Sequence, residues 1–426
     1  MQKFKGETLI VAYILEIHPT LSQTFVEREI AELVAQGIPV KVWSLLHTPA
    51  QGPRNFAGHL PHVNYFPWWQ ALGLIVALPR ELRRDPALLR DTWHLLRQHR
   101  PTGFVNFLVN LWAAIFAVCR AEEFRRAGVH HVHGAWASGP ATAAAILSRL
   151  CRIPFSFGAH AYDIYEHGGD WFLNAKLRAA SFLHTTTQAN VAYLRQRIPQ
   201  ANILFARQGL DRLPSSKPRT RAAGPIHILS VARLVPKKGH AHQLAACALL
   251  KQWGVPFEAR IVGTGELRKS LQRQINKLNV ADAVTLCGGQ PHEQAQLSFA
   301  WADILWHTGV VDAKGNRDGL PNVIPEAFAH HLPVISSREP GATEAVIHEV
   351  TGLVVEVTDH TALARAVKQL AEDEPLRQRL GANARGWVEE NFSISRNAAL
   401  LAKAFRKSDV VKETSGSPVR SLELQT

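Results

Sequence analysis

Short apolar runs rich in β-branched residues alternate along the chain with longer segments whose apolar residues recur at helical spacing. Near the start, the runs Leu9–Leu15 and Val40–Leu45 flank the segment Gln23–Gln36, which has helical spacing and ends before Gly37. This order predicts two parallel strands joined by a helix, with a ligand-binding loop at the carboxyl end of the first strand. The same alternation predicts further strands at His130–His133, Pro154–Gly158, Phe182–Thr186, Ile203–Arg207, His227–Val231, Glu258–Val262, Val284–Cys287, Ile304–His307, Pro333–Ser336 and Leu353–Val357.

A polar stretch rich in proline, serine and basic residues, 213–225, predicts a linker between two α/β domains. We expect a first Rossmann-like domain at 1–212 and a second at 226–407, each a doubly wound parallel sheet, with a cleft between them. The last helices are predicted at about Thr361–Asp373 and Ala382–Lys407, and the last one could pack back on the first domain. Residues 408–426 have the composition of a disordered tail.

The most apolar run, Gly103–Cys119, lies in a less regular region rich in tryptophan, leucine and arginine. It is short for a membrane span, and Asn106 and Asn110 interrupt it. Two interpretations are open: a helical insert packed on its own domain, or a helix at a membrane interface. The second interpretation would place at the interface Trp68, Trp69, Trp93, Arg80, Arg83, Arg84, Arg90, Arg97 and Arg100.

The composition fits a globular protein, with 426 residues, 46% hydrophobic and 19% charged. A formal net charge of +13 calls for an anionic partner or simply favours solubility. No nucleic-acid-binding module or dense basic run is present, so we expect no nucleic acid and favour an anionic membrane surface. Four scattered cysteines and the polar start Met1–Glu7 predict a cytoplasmic location, with peripheral contact to the inner face of the cytoplasmic membrane as an alternative.

The segment Gly315–Ser336 predicts a loop, a short helix and a strand. Asn322 is a good helix N-cap, and the free amides of Val323 and Ile324 could hold a phosphate. Asp318 lies in the preceding loop.

Glu326 lies about one turn into the same helix, where it could accept hydrogen bonds from two hydroxyls. The pattern is an acidic residue followed, after seven residues, by a glutamate just inside a helix. Such a pattern could bind a sugar nucleotide. Ordinary capping accounts equally for an Asp before a helix and a Glu in its first turn.

Two basic residues, Arg233 and Lys238, follow the predicted strand His227–Val231 and could converge on a diphosphate. Gly263 and Gly265 form a Gly-Thr-Gly turn after the next strand. The turn lacks the third glycine of a dinucleotide fingerprint, which makes a dehydrogenase interpretation weak.

In this order the motifs resemble those of the retaining glycosyltransferases of family four, which have the GT-B fold. The likeness is strongest in the second half, and the start of the chain is similar to exopolysaccharide and colanic-acid type members. The matching stretches are YILEIHPTLSQTFVEREIAEL, PFSFGAHAYDIY, SVARLVPKKG, IVGTG, DGLPNVIPEAFA, LPVISS and PGATEAVIHEVTGLVV.

The resemblance implies a hexosyltransferase that uses a nucleotide sugar, UDP- or GDP-linked, and a lipid-linked or polysaccharide acceptor. Arg233 and Lys238 would neutralise the diphosphate, and Asp318 and His160 would lie close to the transferred sugar. Glu326 would hold the ribose hydroxyls. Further donor contacts would come from Gly263, Gly265, Asn322, Val323, Ile324 and Glu344.

The acceptor side is expected in the first domain, where each candidate also has a structural explanation. Asp163 lies near His160, and His133 ends the strand His130–His133, where packing accounts for it equally well. Ser22 and Thr24 would line the first loop, although an ordinary helix cap explains them as well.

Asp318 stands where the family more often has glutamate, and His331 stands where it usually has glycine. If that glycine adopts a positive φ, histidine costs about 1 kcal/mol or more there. The chain has no Asp-x-Asp pair, which agrees with transfer that needs no metal and no cofactor. The alternatives are a sugar-nucleotide epimerase of similar fold, which would turn over donor without acceptor, and a non-catalytic subunit.

Overall fold

The computed structural model describes residues 8–20, 24–47, 62–99, 101–210, 213–215 and 224–415. The chain divides into two compact units, one formed by Met1–Gly209 with Ile394–Thr426 and the other by Leu210–Ser393. Each unit is built around one parallel sheet with helices packed on it.

The first unit contains a seven-stranded sheet in the order β3-β2-β1-β4-β5-β6-β7, and every neighbouring pair is parallel. The strand order reverses direction between β1 and β4, so the carboxyl ends of these two neighbouring strands form a topological switch point. The strands are β1 Val11–His18, β2 Val40–His47, β3 Val63–Tyr65, β4 His131–Gly134, β5 Phe155–Gly158, β6 Phe182–Thr185 and β7 Ile203–Phe205.

Helices of the first unit bury their apolar faces on both sides of this sheet. The central pair packs closely, since small residues of α5 lie against α4. The helices are α1 Thr24–Ala35, α2 Leu74–Arg84, α3 Ala87–Gln98, α4 Phe104–Arg126, α5 Gly139–Cys151, α6 Tyr162–Tyr165, α7 Leu173–Ala179, α8 Gln188–Arg197 and, from the end of the chain, α16 Ile394–Ser415.

The second unit contains a six-stranded parallel sheet in the order β10-β9-β8-β11-β12-β13. Its strands are β8 Ile226–Val231, β9 Phe257–Val262, β10 Val284–Gly288, β11 Ile304–His307, β12 Val334–Ser336 and β13 Gly352–Val354. Its helices are α9 His240–Gln252, α10 Arg268–Lys277, α11 His292–Trp301, α12 Val323–Ala329, α13 Pro340–Thr343, α14 His360–Glu372 and α15 Glu374–Asn391.

The end of the chain differs from the single helix predicted for Ala382–Lys407. The chain leaves α15 after Asn391 because Phe392 and Ser393 pair with Leu210 instead, with the Leu210 N–H donating to Phe392 O at 3.1 Å. The final helix α16 packs on α1 and β4, with Phe405 buried there. It continues to Ser415, so the start of the segment predicted as a tail, 408–426, is helical, and 416–426 lie outside the described residues.

Candidate functional site

The loop after β8 is held in a compact turn that presents basic residues. Pro236–Lys238 forms a 3₁₀ turn, and Gly239 follows with φ 64°. A Cβ at Gly239 would lie 2.0 Å from Thr308 O, so the close approach of the two backbones requires glycine. His240 Nε2 lies 3.1 Å from Arg233 O, which ties both ends of the loop together.

Gly263 and Gly265 bring a second turn against this loop. A Cβ on Gly263 would lie 1.9 Å from Ala232 O, and one on Gly265 would lie 2.4 Å from Leu234 O. In the structure these glycines therefore allow close packing of two backbone segments, which positions the Arg233 loop.

Asp318 lies within an almost buried group of basic side chains. Lys238 Nζ is 2.5 Å from Asp318 Oδ2, and Lys237 Nζ is 3.1 Å from Oδ1. His307 Nε2 lies 3.5 Å from Oδ2. Burial raises the pKa of Asp318, but the charge of Lys238, the nearby imidazole of His307 and the charge of Lys237 outweigh it and hold this pKa well below its usual value.

Lys237 and His307 were not among the residues selected from the sequence. Lys237 is buried and also donates to Asn316 Oδ1 at 3.1 Å. Burial lowers its pKa, the carboxylate of Asp318 opposes that effect, and the charges of Lys238 and Arg233 add to it. Arg233 itself is exposed, so its guanidinium is accessible to a ligand. His307 could have been selected from the sequence, because it lies at the carboxyl end of β11, where open α/β sheets bind ligands.

The short helix α12 begins as predicted after Asn322, although the Asn322 side chain makes no capping hydrogen bond. The Ile324 amide donates to Pro321 O at 3.0 Å, so one of the two amides expected to be free is engaged. Glu326 lies in the first turn and is half-buried.

The turn after β12 approaches the Asp318 loop. A Cβ on Gly341 would lie 2.3 Å from Gly319 O, so glycine is required for this contact. Glu344 follows α13 and is half-buried.

His160, in the first unit, is a packed and neutral histidine. Its ring makes edge contacts with those of Phe25, Trp136 and His184, at centroid distances of 5.6, 6.2 and 6.1 Å. Burial and the charge of His184 lower the pKa of His160 to about 3, against a hydrogen bond to the backbone of Ala135.

Asp163 and His133 are internal residues of the first unit, which corrects their assignment to the acceptor side. Asp163 is 2% exposed, and it accepts hydrogen bonds from the amides of Ala137, His160 and Ala161 at 3.0, 3.1 and 2.8 Å. His133 is 1% exposed, and its Nδ1 lies 2.8 Å from Ser156 Oγ. Both side chains are thus used to hold the loops after β4 and β5.

The other acceptor-side residues, Ser22 and Thr24, cannot be compared in the same way. Ser22 lies outside the described residues, as does the side chain of Thr24, whose backbone begins α1. Within the described ranges no group of three or more His, Cys, Asp or Glu is arranged to hold a metal ion.

Comparison with known proteins bears on the family and the fold of the chain. Residues 212–387 match the family model described as glycosyl transferases group 1. The chain is 34% identical over 215 residues to WcaL of Escherichia coli K12, named as a colanic acid biosynthesis glycosyltransferase, covering 48% of this chain and 52% of that protein. It is 35% identical over 196 residues to the amylovoran biosynthesis glycosyltransferase AmsK of Erwinia amylovora, covering 46% and 48%. The chain thus spans about half the length of these curated relatives.

Among solved structures, the fold is similar to that of Anabaena Alr3699/HepE in complex with UDP, with a TM-score of 0.67 and 18% identity. The match covers 94% of this chain and all of the other. Together these comparisons confirm the resemblance drawn from the motifs and the GT-B fold that it implied.

Proposed function

We propose that this chain, which carries a glycosyl transferases group 1 domain over residues 212–387, moves a sugar from a nucleoside-diphosphate sugar to a lipid-linked or polysaccharide acceptor. The pathway we propose is cell-envelope or exopolysaccharide biosynthesis, because the relatives WcaL and AmsK are named for colanic acid and amylovoran biosynthesis. The observation that supports it best is the pair of lysines, Lys237 and Lys238, that Asp318 holds in the loop of the exposed Arg233.

In this proposal Arg233 and Lys238 bind the diphosphate of the donor. Asp318 fixes the positions of the Lys237 and Lys238 ammonium groups, since it contacts both. Preorganised cations stabilise the charge that develops on a departing diphosphate, without reorganisation during the reaction. They would do so without a metal ion, and transfer would retain the anomeric configuration.

The remaining donor contacts are proposed around α12 and α13. Glu326 would accept hydrogen bonds from the ribose hydroxyls, and Glu344 would contact the sugar. The amides of Asn322 and Val323 would face the phosphate, whereas Ile324 would contribute through its position rather than its engaged amide. His160 would contact the donor sugar through a neutral imidazole.

We also propose that the first unit contacts an anionic membrane surface. Of the 21 large apolar side chains that are exposed in the described part of the chain, twelve lie between residues 68 and 111. The residues of this exposed apolar surface are Trp68, Trp69, Leu72, Ile75, Val76, Leu89, Trp93, Leu96, Phe104, Val105, Leu108 and Leu111.

The helices that carry the exposed apolar surface also pack on their own unit, so the two interpretations of this region are compatible. The helix α4 is long and apolar enough to cross a membrane by length and composition. Its second half is buried in the core through Phe116 and Phe124, which favours surface contact over a span. Exposed Arg83, Arg90 and Arg97 would face lipid phosphates.

The donor site is tested by thermal stabilisation with UDP, GDP, ADP and their sugar conjugates in the presence of a chelator. A ligand at about 100 times its dissociation constant adds about 2.7 kcal/mol to the free energy of unfolding. We expect the nucleotides of one base to raise the melting temperature, and we expect Glu326→Ala to abolish this stabilisation. Glu258→Ala, which changes an exposed glutamate of β9, is the control. A folded protein that no nucleotide stabilises would contradict the proposal.

A further inference from the structure

Three polar side chains meet at the switch point of the first unit's sheet. Ser138 Oγ donates to Glu16 Oε2 at 2.6 Å, and the Tyr162 hydroxyl donates to the same oxygen at 2.9 Å. Glu16 lies near the carboxyl end of β1, Ser138 follows β4, and Tyr162 follows β5. Open α/β sheets bind their ligands at this kind of edge.

Half of the Glu16 carboxylate is left available at this edge. Both hydroxyls donate to Oε2, while Oε1 has no hydrogen-bond partner among the described residues. Glu16 is half-buried and Tyr162 is 36% exposed, so the group is accessible. A carboxylate oxygen of this kind can accept hydrogen bonds from ligand hydroxyls.

The backbone that carries Ser138 is fixed by two buried side chains of opposite charge. Lys176 Nζ donates to Ala137 O at 2.5 Å and to Ser138 O at 3.3 Å, and it pairs with Asp170. Asp163 accepts the Ala137 N–H at 3.0 Å. Burying such charges is costly, and here they hold two adjacent residues in place. A site held this rigidly is preorganised for binding.

We propose that Glu16, oriented by Ser138 and Tyr162, binds a hydroxyl group of the sugar acceptor. Glu16 Oε1 accepts the hydrogen bond from that hydroxyl. Ser138 and Tyr162 are positioning residues, because they act on the ligand through Glu16. The inference rests on the proposed function, since it takes the acceptor to be a saccharide. Glu16 thereby takes the role that burial excludes for Asp163 and His133.

The test compares Glu16→Gln, Tyr162→Phe and Ser138→Ala in the full-length chain. The matched control is Glu32→Gln, because Glu32 Oε1 also accepts two hydrogen bonds, from Gln36 and Ser395 at 2.8 Å each. The acceptor probe is the lipid-linked saccharide fraction extracted from the source organism, used in a dilution series. The donor is the labelled nucleotide sugar that stabilises the wild-type protein.

We expect Glu16→Gln to raise the apparent KM for the extract about tenfold or more, the usual effect of losing a charged hydrogen bond. Tyr162→Phe and Ser138→Ala should raise this KM less. Combining either one with Glu16→Gln should raise it by less than the sum of the two separate effects, because both hydroxyls act through the same carboxylate. The KM for donor, the slow hydrolysis of donor without acceptor, and the melting temperature stay near wild-type values. Glu32→Gln changes none of these quantities.

Three results would overturn the inference. An unchanged KM for the extract in Glu16→Gln, with active wild-type protein, removes Glu16 from the acceptor site and leaves the proposed function standing. Parallel losses of donor hydrolysis and thermal stability show that Glu16 has a structural role instead. A wild-type protein that neither binds a nucleotide nor labels the extract contradicts the proposed function itself, and the inference falls with it.

Discussion

Lys238 Nζ lies 2.5 Å from Asp318 Oδ2, an ion pair with both side chains largely removed from solvent. The same carboxylate contacts Lys237, so one acidic group keeps two ammonium groups close together. Without that carboxylate, two partly buried positive charges would repel each other in a medium of low dielectric constant.

Replacing Asp318 with asparagine is therefore expected to destabilise the second unit. Removing one partner of a buried pair typically costs about 3 kcal/mol, because the other charge stays buried and unpaired. Urea unfolding at neutral pH measures the loss, and pyrophosphate should reduce it by supplying negative charge. The control is Asp282→Asn, since Asp282 pairs with Lys251 at the surface, where an ion pair contributes little. Equal losses in the two variants would argue against this account.

Stability of the first unit should fall in mild acid because of its buried histidines. Burial lowers the pKa of His131 to about 3, whereas an unfolded histidine has a pKa of about 6.5. Below about pH 6.5 the unfolded chain binds more protons than the folded one, so the free energy of unfolding falls as the pH falls. At pH 5 the loss is about 2 kcal/mol for this histidine.

The acid effect is measured by urea unfolding at pH 7.5 and about pH 5. His131→Gln should show a smaller difference between the two pH values than wild-type protein. His94→Gln, which changes an exposed histidine of α3, should keep the wild-type difference. If His131→Gln retained the full pH dependence, other groups would have to account for it.

Much of the fold follows from local pattern, because strands buried on both faces of a parallel sheet are short continuous apolar runs. Each strand predicted from the sequence is present, Ile304–His307 with the same bounds and most others with ends shifted by one to three residues, whereas the three-residue strand Val63–Tyr65 was too short to recognise. The break at Phe392 depends on pairing with Leu210, far away in the chain, which no local pattern reveals.

The residue types of the site could be predicted from the sequence, but the directions of their side chains could not. The motif selected Lys238 and Asp318, which the structure places in contact. It did not distinguish Lys237, since two adjacent lysines look equivalent until the turn directs one of them inward. The pattern places His133 at the end of one strand and Asp163 in the segment after the next, but it does not show in which direction their side chains point.

Membrane contact predicts that tryptophans of the exposed apolar surface contribute to vesicle binding. Changing Trp68, Trp69 and Trp93 together to alanine should lower the bound fraction roughly tenfold, because each ring loses burial among the lipid headgroups. Flotation with vesicles that contain phosphatidylglycerol measures this, and vesicles of phosphatidylcholine alone should bind less.

The matched control for membrane binding is Trp253→Ala, because Trp253 is also exposed but lies in the second unit. It should leave vesicle binding unchanged. Raising the salt from about 0.1 M to about 1 M should weaken binding, since exposed arginines are screened. Equal binding by the triple variant and wild-type protein would assign the exposed apolar surface to another contact.

His331 is expected to be a strained residue whose replacement by glycine stabilises the second unit. It follows α12 with φ 55°, and the hydrogen bonds from His331 to Phe328 O and from Leu332 to Ala327 O form a helix-terminating turn that favours glycine at this position. His331→Ala keeps a Cβ at the positive φ while removing the imidazole, so the difference between His331→Gly and His331→Ala isolates the backbone effect. We expect glycine to exceed alanine by about 1 kcal/mol in the free energy of unfolding. Equal stabilities in urea unfolding would mean that the turn imposes no strain.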